Sequence, residues 1–500
     1  MIQSLRIVRK DALHLWPEIT LHTALLIAFA WIAQLPHQVI GAEGTPLVAI
    51  GIGLIKFLLP VIWVVLIGRL VHDEALVGDQ QFWITRPYTW PSLLGAKLLF
   101  LVAFIFVPFL LMQSFLLLRN GIHPWAVLPG LLLNLLTIIL LCFLPFLVLA
   151  SVTSTFPRLA LAIIIAILYV IAVAAALSYA MRSQLVAQPI QMASTVVLVL
   201  LLLGALIYQY ATRKTLYARL ALYATPVVLA LLVLLVPAGP LLRQMYPVDG
   251  SASGLKLTFD ANPLEQQPKT AHPYVFDHMN VIAIPTQVSG LPPQNDLEPR
   301  GVTYTVDADS LHYRAPWQNG GTSSILVPET ILAAVGDKQV HLHLTVLAER
   351  LAPGTPYTVS ADPHFPAPEH GACSFPNDGT ADLPLCNFAL HSLPLTIVSG
   401  PISARPCERY SSADPGALAQ GLAHLPLLPR TPSFDPVVAQ FIGPMRFGQS
   451  TGFLCPGEPL TFNVYQSAAK LRFELDIPSI QLSNYVLPQR ERHPQVQEQP

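Results

Sequence analysis

The chain has 500 residues, 53% of them hydrophobic and only 11% charged, with 28 Lys and Arg against 29 Asp and Glu. Near-neutral charge excludes a nucleic-acid binder that relies on phosphate neutralisation, and the apolar content excludes a disordered or collagen-like chain. The average hides a boundary: Met1 to Met245 carries 14 basic and 6 acidic residues and 15 of the 47 prolines, whereas Tyr246 to Pro500 carries 14 and 23 with 32 prolines. A basic, apolar membrane domain therefore precedes an acidic, proline-rich soluble one.

Residues 1–18 predict an amphipathic interfacial helix, with Ile2, Leu5, Val8, Ala12 and Leu15 on its apolar face and Arg6, Arg9 and Lys10 on another. Asp11, Trp16, Pro17 and Glu18 argue against a cleavable leader ending at Ala28-Phe29-Ala30. Residues 19–245 form the predicted transmembrane domain. About 20 apolar residues cross the roughly 30 Å of hydrocarbon, and seven runs meet that need: Ile19 to Leu35, Leu47 to Leu70, Leu93 to Leu118, Ala126 to Ala150, Leu159 to Tyr179, Ala193 to Tyr210 and Leu220 to Leu242. One alternating set of loops holds Arg6, Arg9, Lys10, Arg69, Arg86, Arg158, Arg213, Lys214 and Arg219, while the other holds Arg119, Arg182 and Arg243. Basic short loops stay cytoplasmic, so the N-terminus is expected inside and everything after Leu242 outside.

Ionisable residues inside spans are functional candidates by default, which singles out Lys56. Near the outer end of its span Lys56 can also snorkel to water, and Lys97 is expected to snorkel toward the inner surface. Pro60, Pro108, Pro145 and Pro226 are candidate kinks.

The loop between the second and third spans, residues 71–92, is long for a membrane hairpin and carries Glu74, Gly78, the pair Phe82-Trp83, and Arg86-Pro87 before Lys97. Its composition predicts a binding segment, although Phe82 and Trp83 could equally anchor at the interface. In the order acidic residue, glycine, short apolar helix, proline and lysine, this stretch resembles the membrane subunits of type 2 ATP-binding-cassette (ABC) exporters. Residues 1 to about 210, an interfacial helix and six spans, are similar to that family's core layout.

The resemblance implies that Glu74, Gly78, Phe82, Trp83, Arg86 and Pro87 belong to a coupling loop that docks on a separate ATPase subunit. It also implies that a second copy, or a homologous permease, completes the transporter. A seventh span and an outer domain of about 250 residues depart from the family pattern and leave the substrate open. No nucleotide-binding motif is present: Gly250-Ser251-Ala252-Ser253-Gly254-Leu255-Lys256 has the wrong spacing for a phosphate loop. No cofactor, metal or catalytic constellation is expected on this chain, and ATP hydrolysis is expected on the partner.

Residues 246–488 lose the helical period. Short alternating runs at 281–288, 302–308, 340–348, 395–398, 462–465 and 471–477, separated by Pro-rich turns, predict an extracytoplasmic, all-β, sandwich-like domain. Cys373, Cys386, Cys407 and Cys455 all fall there and are disulfide candidates; Cys142 lies in a span. Three pairings are open, and the sequential one closes the shorter loops. Gly448-Gln449-Ser450-Thr451-Gly452 spells a nucleophile elbow but precedes Pro456, where no helix readily starts. His341 and His343 share a strand face and could bind a metal with His364 or His370, yet a solvated strand face is the simpler reading, as it is for Asp307 and Asp309. The polar tail 489–500 is expected to fray.

The sequence therefore predicts a multi-pass protein of a bacterial-type cytoplasmic membrane, a permease subunit of an ABC-type exporter. The alternative is a membrane-anchored extracytoplasmic binding or sensor protein.

Overall fold

The computed structural model describes residues 2–33, 46–73, 89–180, 188–235, 243–260, 279–292, 295–308, 311–315, 318, 324–360, 364–367, 371–374, 385–389, 396–399, 422–424, 433–441 and 459–487. Glu74, Gly78, Phe82, Trp83, Arg86 and Pro87, expected to form a coupling loop, lie outside the described residues, along with Asp309, His370, Cys407, Cys455, the Gly448–Gly452 run and the tail.

The first half is helical: α1 (Ile2–His14), α2 (Trp16–Ile32), α3 (Pro46–His72), α4 (Trp90–Leu101), α5 (Val107–Arg119), α6 (Leu128–Ile138), α7 (Leu144–Val152), α8 (Phe156–Ala180), α9 (Gln188–Thr212) and α10 (Thr215–Leu235). Two π-helical segments, Val102–Phe106 and Ile139–Phe143, join α4 to α5 and α6 to α7 as rods of 30 and 25 residues. Each π segment ends two residues before a proline, Pro108 or Pro145. A proline supplies no N–H to its helix and its ring crowds the preceding turn; widening that turn relieves the clash while the helix continues. Both sites spell Phe-x-Pro-Phe, Phe106 to Phe109 and Phe143 to Phe146.

Among the described residues five helices are long and apolar enough to cross a membrane, and α1 with α2, bent by 76° at Leu15, would add a sixth. The described apolar stretch of α8 covers Phe156–Ala172. Gly68 lets α8 approach α3: a Cβ there would lie 2.8 Å from Leu159 Cδ2. The aromatic centre of the bundle is Trp63, whose ring lies 4.7 Å from Phe143 and 5.9 Å from Phe109, centroid to centroid.

The inward face of α1 corrects the sequence reading. Ile7, Asp11 and Leu15 are buried, whereas Leu5 and Leu13 face outward. Residues 7, 11 and 15 follow the four-residue helical spacing, and burial of Asp11 beside Lys97 rotates the helix toward that stripe. Val8 and Ala12 keep partial contact with the core.

The second half is rich in β-strand. Its largest sheet is built on Asp296–Ala308, Val340–Pro353 and Pro459–Ile480, paired antiparallel with the middle strand central. Alternation along Val340–Pro353 sends Leu342, Leu344 and Val346 into a core shared with Tyr304, Val306, Phe473 and Leu475. Tyr304 is buried there and its hydroxyl donates to the Leu326 carbonyl at 2.6 Å. At the domain entrance burial pushes the Tyr246 hydroxyl up to about 12, helped by the neighbouring Glu349 carboxylate, so Tyr246 stays neutral at ordinary pH.

A second sheet, His364–Ala367, Gly371–Ser374, Leu385–Ala389 and Val437–Phe441, carries the Cys373–Cys386 disulfide between directly paired residues. This sheet rests on the turn between α5 and α6. Ala389 and Val437 pack with Leu117, Ile122, Val127 and Leu131, and Asn387 Nδ2 donates to Asn120 Oδ1 at 3.1 Å.

The disulfide generates a measurable expectation. Alkylation of native protein should spare Cys373 and Cys386, and non-reducing peptide mapping should recover the linked pair. Closing a loop of this size contributes about 3 kcal/mol, so reduction should speed amide exchange in Leu385–Ala389 by roughly a hundredfold. Free thiols at both positions in freshly isolated protein would contradict the assignment.

Candidate functional site

Two polar constellations occupy opposite ends of the helical bundle. The first surrounds the ends of the 74–88 loop. Lys97, seven residues into α4, lies about 10 Å from its start at 1.5 Å per residue. Its side chain is 1% exposed and Nζ is 2.9 Å from Asp11 Oδ2, itself 3% exposed. Lys97 therefore does not snorkel. A partner 86 residues earlier in the chain is closer than water, and a buried charge is retained where it is paired.

Further contacts extend this grip. Ser4 Oγ donates to the Ser92 carbonyl at 3.2 Å, beside the start of α4. His14 Nε2 lies 3.5 Å from Asp73 Oδ2, at the end of α3, and Arg69 near the end of α3 pairs with Glu18 in the first turn of α2. Helix α1 thus holds both edges of the loop, Asp73 on one side and Ser92 on the other. On the same end His72 Nε2 meets Thr153 Oγ1 at 3.2 Å, and Arg219 Nη2 donates to the Val152 carbonyl at 2.8 Å. The basic residues Arg69, Arg158 and Arg219, drawn from separate loops in the sequence, gather at this end.

The second constellation lies deeper, toward the α5–α6 turn. Gln113 of α5 and Asn134 of α6 are fully buried. Both address a segment from the other half of the chain, Ser433-Phe434-Asp435, that descends from the second sheet into the bundle. Asn134 makes a two-point backbone contact: Nδ2 donates to the Ser433 carbonyl at 2.8 Å, and the Ser433 N–H donates to Oδ1 at 3.2 Å. Gln113 Nε2 donates to the carbonyls of Ser433 and Phe434 at 3.3 and 3.4 Å. The Phe434 ring lies 5.4 Å from Trp63 and 6.1 Å from Phe109. Hydrocarbon provides no hydrogen bonds, so buried amides need protein partners, and the inserted segment accepts from both amide nitrogens.

The remaining sequence candidates are placed as follows. Lys56 is on the outside of the bundle, with Nζ 5.9 Å from the centre of the Phe29 ring. His341 and His343 lie on a partly exposed sheet face, where His341 Nε2 is 2.7 Å and His343 Nδ1 is 3.5 Å from Asp476 Oδ1. Asp307 pairs with His312 and reaches His341 Nδ1 at 3.8 Å. This His-Asp ladder runs across adjacent strands, and among the described residues no group of three or more His, Cys, Asp or Glu is arranged to hold a metal ion. In the Gly250–Lys256 run Gly250 packs under Phe473, where a Cβ would collide with the ring, and the following three residues form a short turn.

Sequence reasoning about ionisable residues passed over Asp11, Gln113 and Asn134. A search for any polar side chain within an apolar run would have found the latter two; Phe434, in a Pro-rich stretch, carries no such signal. The chain matches no family model, no curated protein and no solved structure.

The buried pair can be tested by a mutant cycle. Asp11→Leu or Lys97→Met alone strands a charge and should cost about 3–5 kcal/mol, whereas the double variant should cost much less than the sum. Glu18→Gln breaks a more exposed pair and should cost about 1 kcal/mol or less. Unfolding of the detergent-solubilised protein by added SDS measures all four; additive single-variant costs would contradict a coupled pair.

Proposed function

We propose that this chain is the membrane-spanning subunit of an ABC-type exporter, with seven spans, the N-terminus in the cytoplasm and a sandwich-like β domain on the far side of a bacterial-type cytoplasmic membrane. The loop containing Glu74, Gly78, Phe82, Trp83, Arg86 and Pro87 receives a separate ATPase subunit, and a second permease chain completes the assembly. ATP hydrolysis takes place on the partner. This chain's residues bind the partner, transmit its displacement and reorient the helices around the transported molecule.

The observation that supports this reading is the grip of α1 on both edges of the loop. A displacement applied at residues 74–88 cannot stay local. Asp73 and Ser92 connect it to α1 through His14 and Ser4, the Asp11–Lys97 pair carries it into α4, and Glu18 with Arg69 carries it into α2 and α3. The π segments beside Pro108 and Pro145 provide places where two rods can flex without losing their helical hydrogen bonds wholesale.

If Phe82 and Trp83 fill a pocket on the ATPase, truncating this central pair should remove at least 2 kcal/mol. The double variant Phe82→Ala/Trp83→Ala should therefore weaken recovery of a phosphate-loop ATPase from matched membranes by tenfold or more, with membrane insertion intact. Equal ATPase recovery, or none with the wild type, would overturn the coupling-loop assignment. Interfacial anchoring alone predicts altered insertion and unchanged recovery.

A further inference from the structure

We infer that the chamber between α3, α5 and α6 is a binding site for an aromatic residue in peptide linkage, and that Ser433-Phe434 is its resident, chain-borne occupant. Three features define the ligand class. Asn134 reads one residue's N–H and C=O together, as a neighbouring strand would, at 3.2 and 2.8 Å. Gln113 reads two successive carbonyls, which only a peptide or a close amide analogue presents. Trp63 and Phe109, with Phe143 tilted against Trp63, make an aromatic wall for a ring.

The resident segment leaves this cradle incompletely used. Gln113 Oε1 and Trp63 Nε1, both buried, have no hydrogen-bond partner among the described residues. The chamber therefore still offers one acceptor and one donor beside a bound peptide. The resident segment is short, with bends at Phe434 and Pro436, and its turn is closed locally, by Ser433 Oγ on the Asp435 carbonyl at 2.8 Å and the Val437 N–H on Asp435 Oδ1 at 3.1 Å. The inference concerns binding and stands whether or not an ATPase acts on the chain.

The test uses the full-length protein in lipid nanodiscs and two fluorescent probes, acetyl-Ser-Phe-Asp-amide and acetyl-Ser-Ala-Asp-amide carrying the same dye on a C-terminal linker. A tethered occupant competes at high effective concentration, so wild-type protein should bind the Phe probe weakly. Phe434→Ala should bind it at least tenfold more tightly, and the Ala probe should bind that variant at least tenfold less tightly than the Phe probe. Adding Asn134→Leu should abolish the gain. Phe434→Leu, which keeps the space filled without the aromatic ring, should gain at least threefold and decides the matter if Phe434→Ala does not fold. No gain in either Phe434 variant, equal binding of the two probes, or a gain that survives Asn134→Leu would each show that the segment is a structural anchor only and overturn the inference.

Discussion

Hydrocarbon accepts and donates no hydrogen bonds, and that constraint accounts for where the polar groups of the bundle have gone. Lys97 is too deep for its ammonium to remain unpaired, so Asp11 is drawn inward and α1 turns with it. Gln113 and Asn134 are too deep to reach water, so they hold the backbone of Ser433 and Phe434. The same need for backbone satisfaction keeps the rods at Pro108 and Pro145 helical through π turns rather than open breaks. Lys97, Gln113 and Asn134 thereby become fastenings between elements far apart in sequence.

The two sets of fastenings have different consequences. At the α1 end they join acidic to basic side chains and connect four helices, which suits transmission of force. At the other end they are neutral amides reading a backbone next to an aromatic wall, which suits recognition of a chain-like molecule. The second sheet lies directly above that recognition end, seated on the α5–α6 turn through Ala389, Val437 and Asn387. Motion of the α5–α6 hairpin and motion of the Cys373–Cys386 sheet are therefore linked.

Much of the architecture was legible in the residues. Apolar runs marked the helical rods because burial in lipid demands them, and period-two alternation marked Val340–Pro353 and the two pieces of Pro459–Ile480. The structure joins those pieces into one strand through an irregularity at Ser467 to Ala469, which no local signal distinguishes from a turn. The second sheet went unread because its strands are four or five residues long and include Pro366, so alternation never accumulates. The misplaced Lys97 and the unforeseen burial of Asp11 share one cause. Asp11 and Lys97 are 86 residues apart, and a pairing at that range leaves no periodic trace.

The account rests most heavily on Phe434 lying among the membrane helices, so a photocrosslinker at that position is its most direct test. Benzoylphenylalanine incorporated in place of Phe434 keeps the aromatic shape and reports its neighbours after irradiation in native membranes. Adducts mapped by mass spectrometry to peptides containing Trp63 or Phe109 are the predicted result. Adducts confined to the β-sheets or to lipid would contradict the insertion and with it the two-ended organisation of the bundle.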